Sequence, residues 1–98
     1  QEQQPKLSPL QTGNDLLHVC QSDNIFDRGV CGGFITAASQ VVQMAGKACF
    51  AEGMTLEQGR DVVVKYLSGH PETRHEAAVT LASRALMRAF PCSIKPKE

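Results

Sequence analysis

The sequence predicts an all-α fold, a small bundle of about four helices stapled by two disulfides. Three observations carry this expectation. Apolar residues recur at three- and four-residue spacing through most of the chain. Thr, Asn, Gly and Pro punctuate that pattern where helices would start and stop. The four cysteines, Cys20, Cys31, Cys49 and Cys92, fall at the edges of the helical segments. No internal repeat and no strand-like alternation of useful length competes with this reading.

Residues 1–12 are polar, hold Pro5 and Pro9 and show no periodicity, so they read as a flexible or draped arm. Residues 93–98 read as a similar tail, leaving 13–92 as a single domain. A first helix starts near Thr12 or Asn14, either of which can cap it, and carries Leu16, Leu17, Val19 and Cys20. A polar turn over 21–24 follows, with Ile25 and Phe26 as anchors. A long central helix then runs from about Arg28 to Cys49 with two adjacent apolar rows. One is Cys31, Ile35, Ala38, Val42, Ala45 and Cys49; the other is Val30, Phe34, Ala37, Val41, Met44 and Ala48. Thr55-Leu56-Glu57-Gln58 fits a capping box, in which a threonine hydroxyl and a glutamine side chain satisfy each other's orphan backbone donors. The third helix begins there, carries Leu56, Val62, Val63, Tyr66 and Leu67 inward, and ends at Gly69. Pro71 can open a fourth helix that reaches Phe90 before Pro91, with Ala77, Ala78, Leu81, Ala82, Ala85, Leu86 and Ala89 on one face.

The helix order constrains the cysteines. An even count in a short chain, with no closely paired ligands, favours disulfides over a zinc site. On a continuous helix Cys31 and Cys49 would lie roughly 27 Å apart, too far for a bond that needs Cα atoms within about 7 Å. Short connections favour antiparallel neighbours. The expected pairs are therefore Cys20 with Cys31 and Cys49 with Cys92, each contributing about 3 kcal/mol. Such bonds point to an oxidising compartment, with a signal peptide already removed.

Ten basic and ten acidic residues give zero net charge, so the chain has no electrostatic footprint of a nucleic-acid or anionic-membrane partner. No apolar run approaches the roughly 18 residues of a membrane span. A cysteine-peptidase reading has His18, His70 and His75 as candidate bases, but two disulfides leave no thiol. His70, Glu72, His75 and Glu76 hint at a metal, yet histidines five apart do not share a helical face. Carboxylate pairs such as Glu52 with Glu57 read as solvated or dipole-favoured groups. No catalytic residue, metal or cofactor is expected. The polar turn over 68–75 stands apart, because binding residues concentrate on loops held by rigid elements; the plain alternative is a helix connector.

The string Gly13-Asn14-Asp15-Leu16-Leu17 with Cys20, then Cys31-Gly32-Gly33-Phe34-Ile35, resembles the front half of the Rap/Tai family of immunity proteins against type VI secretion amidases. The back half agrees. Cys49 precedes Gly53-Met54-Thr55 and Gln58, then come Val63-Val64-Lys65-Tyr66-Leu67, His70-Pro71-Glu72, Ala85-Leu86 and Ala89-Phe90-Pro91-Cys92. Ala51, where a proline is expected, and Phe34, where tyrosine is more usual, depart from the pattern without touching the cysteine frame.

The resemblance implies a periplasmic, helical, often dimeric protein without enzymatic activity of its own. Its partner would be a papain-like peptidoglycan amidase that it inhibits by occluding the active site. Ser68, His70, Glu72, Thr73 and Arg74 form the expected effector-binding set. The alanine-rich face of the fourth helix and the outer row of the second are alternative homodimer seams. The competing functional readings are an orphan periplasmic binding protein and an acid-stress chaperone of the same fold, since fold alone does not fix function.

Overall fold

The computed structural model describes residues 10–92. Four α-helices follow one another: α1 (Gly13–Gln21), α2 (Ile25–Met44), α3 (Leu56–Gly69) and α4 (Ala78–Ala89), with a 3₁₀ turn, Pro71–Thr73, between the last two. Among the described residues the only β pairing is one isolated antiparallel bridge between Thr12 and Ala77. The all-α expectation holds, and so do both cysteine pairs. Cys20 and Cys31 are bonded with Cα atoms 5.0 Å apart, and Cys49 and Cys92 with Cα atoms 4.8 Å apart.

Capping residues set the helix starts. Thr12 and Asp15 form a reciprocal capping box on α1, and Thr55 and Gln58 form the one expected on α3. The central helix begins earlier than expected. Asn24 Oδ1 accepts from the amides of Phe26 and Asp27 at 2.8 and 3.1 Å, so the helix starts at Ile25 rather than near Arg28. Ile25 and Phe26 are consequently first-turn residues that face solvent, 85% and 73% exposed, and do not anchor the turn.

The same helix ends earlier too. Gly46 has φ +73, its amide donates to Gln43 O, and the Lys47 amide donates to Val42 O. This is the Schellman pattern, which satisfies the last carbonyls of a helix through a left-handed residue best supplied by glycine. Cys49 therefore lies five residues beyond Met44, the last residue of α2, and reaches Cys92 from a non-helical segment. Its amide also donates to Phe90 O at 2.9 Å, beside an edge-to-face contact of Phe50 with Phe90. With α2 ending at Met44, Cys31 and Cys49 do not share one continuous helix, although the expected pairing is right.

The fourth helix starts at Ala78, not Pro71. Residues 71–77 instead form the 3₁₀ turn and an extended step, in which the Ala78 amide donates to Gln11 O. Ala77 is thus exposed, while Ala78, Leu81, Ala82, Ala85 and Leu86 are buried and Ala89 is exposed.

The core gathers Leu16, Cys31, Ile35, Val63, Leu67, Leu81 and Leu86, all essentially inaccessible. Of the two rows on α2, the first supplies Cys31, Ile35, Ala38 and Val42 to that core, whereas Val41 and Met44 of the second are exposed. On α3, Val63 and Leu67 are buried, Val62 and Tyr66 are half-buried, and Leu56 is half-exposed rather than inward. Of the arm expected over 1–12, residues 1–9 lie outside the described residues, as does the expected tail, 93–98. Leu10 is buried, and 11–12 are tied to 77–78.

Candidate binding site

The connection from α3 to α4 is a turn fastened on three sides. The first is the C-terminus of α3, where carbonyls lack helical partners and carry partial negative charge. The His70 amide and the Arg74 Nη1 group both donate to Leu67 O, each at 3.3 Å, and His70 Nδ1 lies 2.7 Å from Tyr66 O. A carbonyl can only accept, so this geometry places the imidazole proton on Nδ1. Within the turn, the Thr73 hydroxyl and amide donate to His70 O, and the Glu76 amide donates to Thr73 O.

The second fastening is the N-terminus of α1. Its first amides have no partners within their own helix; Gly13 N donates to Glu76 O at 3.0 Å and Asn14 N to Arg74 O at 2.9 Å. Such close approach requires glycine. A Cβ at position 13 would overlap the Leu81 side chain and sit 3.0 Å from Arg74 O. The third fastening is the bridge between Thr12 and Ala77.

Of the expected set, Ser68 and Glu72 are exposed, while His70, Thr73 and Arg74 are half-buried and have polar atoms engaged by the scaffold. His75 is exposed. His70, Glu72, His75 and Glu76 do not converge, and among the described residues no group of three or more His, Cys, Asp or Glu is placed to hold a metal. All four cysteines are consumed in disulfides, which removes the thiol that a cysteine nucleophile needs.

From the sequence Tyr66 is expected only to point inward. It is instead the hub of one wall of the turn. The His70 ring stacks on it at 4.2 Å with a 25° interplanar angle, and the Arg88 guanidinium lies 5.7 Å from its centroid. A hydrogen bond with Tyr66, reinforced by Glu76, raises the Arg84 pKa above its ordinary value; Arg84 Nη1 is 3.6 Å from Glu76 Oε1. The spacing of 66 and 70 puts both rings on one helical face, which was the available signal. The arginines come from α4, and only the packing of α4 against α3 brings them there.

A domain of this kind offers a fixed, polar turn on a disulfide-stapled helical scaffold. The chain belongs to the Rap1a immunity protein family, whose model matches residues 12–92. No curated protein and no solved structure matches the chain at a significant level. Among the described residues no helix is long and apolar enough to cross a membrane.

Proposed function

We propose that this immunity protein acts in the periplasm, where it binds a type VI secretion peptidoglycan amidase and occludes its active site without enzymatic activity of its own. The observation that carries this reading is the fastening of the 70–77 turn, together with membership of an immunity family. A turn already ordered before binding avoids most of the ordering entropy that a flexible loop would lose. In this scheme Ser68 and Glu72 contact the amidase directly. His70, Thr73 and Arg74 hold the turn in shape and present their remaining surface. The two disulfides fit an oxidising compartment.

The test is to mix the oxidised protein with the amidase encoded beside its gene, then follow co-elution and peptidoglycan cleavage. Tight binding with lost cleavage supports occlusion. Alanine at His70, Glu72 and Arg74 together should abolish inhibition; full inhibition by that variant would move the inhibitory surface elsewhere.

The same reading includes a homodimer. Of the two seams considered, the alanines of α4 are largely spent on the core, since Ala78, Ala82 and Ala85 are buried. Of the outer row of α2, Ala48 is buried, but Val41 and Met44 are 59% and 85% exposed. We place the seam on α2, where uncharged residues at helical spacing suit a second copy of the same face. Light scattering should give a dimer mass for the native chain and a monomer mass for Val41→Glu with Met44→Glu. A native monomer at working concentrations would rule the seam out.

A further inference from the structure

The groove between α3 and α4, beside the 70–77 turn, has chemistry that the occlusion scheme does not use. It encloses about 450 Å³. Its floor is small and apolar, built from Val62, Gly69, Ala85 and Ala89, so a partner's main chain or short side chains can approach closely. The stacked rings of Tyr66 and His70 form one wall. Lys65 and Arg88 stand on the rim, both exposed.

Charge sets this groove apart from the rest of the molecule. The chain has zero net charge, yet no carboxylate lines the groove. The ion pairs among the described residues are Arg60 with Asp61 and Arg84 with Glu76, and neither takes Lys65 or Arg88. The concavity between the N-terminal ends of α2 and α3 is different: Asp23 and Glu57 lie beside Arg28 and Arg60, so it selects no sign of charge. Two cations without a carboxylate partner above an apolar floor match a segment whose carboxylates alternate with short apolar side chains.

We propose that this groove docks an acidic segment of the effector, a second contact alongside the turn. The proposal rests on the immunity reading above and adds to it. Rim charges exposed to water act mainly by steering encounter, so they govern association rate and its salt dependence more than dissociation. The floor acts on dissociation, because filling it removes the packed contact.

The experiment measures binding kinetics of the intact, oxidised protein against the amidase encoded beside its gene, at low and high salt. Lys65→Glu with Arg88→Glu should slow association about tenfold at low salt and flatten the salt dependence. Lys65→Glu alone, at a side chain with no partner to lose, should show a smaller effect of the same sign. Ala89→Trp, at an exposed floor position, should speed dissociation with little change in association. Ser68→Ala, which removes no charge, should leave the salt slope intact. If the native protein captures the amidase but the charge reversals and Ala89→Trp leave both rates unchanged, the groove proposal is overturned and the immunity reading stands. If the native protein captures nothing, both are overturned.

Discussion

Gly13 illustrates how one side chain's absence can set a site. Its amide reaches Glu76 O, and Leu81, Leu67 and Arg74 O crowd the space where a Cβ would be. Gly13→Ala should therefore destabilise the protein by about 1 to 3 kcal/mol through overpacking. Thermal denaturation measures this, and an unchanged midpoint would show that Leu81 swings aside freely. His70 makes a complementary case. It stacks on Tyr66 and donates to its carbonyl, but is only half-buried. His70→Ala should cost about 1 kcal/mol of stability. Amide hydrogen exchange should accelerate over 71–76 while the core of α3 keeps its protection. Equal acceleration in both regions would mean that the residue supports the fold rather than the turn.

Among the elements, α2 departs from its sequence expectation at both ends, and at each the cause is a cap. Asn24 starts it and Gly46 stops it. Both signals are local and were present in the sequence, but reading Ile25 and Phe26 as turn anchors hid the start, and apolar periodicity continuing to Ala48 outweighed the stop. The Gly46 position has open space around a would-be Cβ, so substitution there isolates the backbone term. Gly46→Ala should cost about 1 kcal/mol from the left-handed conformation alone. Chemical denaturation would check this, and a neutral result would mean that the helix end rearranges. The late start of α4 has a different origin. Residues 71–77 carry helix-compatible residues, but they close only short three-residue bonds among themselves, and Arg74 O and Glu76 O accept from the amides of Asn14 and Gly13 instead. No local pattern announces that exchange.

For the molecule as a whole, the two disulfides divide the labour by loop length. Their sequence separations are 11 and 43 residues. In the chain-entropy account, closing these loops is worth about 3 and about 4 kcal/mol respectively. Replacing Cys49 and Cys92 by serine should thus lower stability more than replacing Cys20 and Cys31, a ranking that equilibrium denaturation of the two double variants can test. The reverse order would show that strain or residual structure in the unfolded chain dominates. The sequence alone determined the helix count, the α3 capping box, most of the buried helix positions and the cysteine pairing, because these follow from contacts three or four residues apart and from helix order. Only the packed molecule decided where α4 begins, which of the turn's side chains serve the scaffold, and that Lys65 and Arg88 flank one groove. Those features rest on contacts between residues distant in sequence, such as Gly13 with Glu76 and Tyr66 with Arg88, whose energies enter only after the helices have docked.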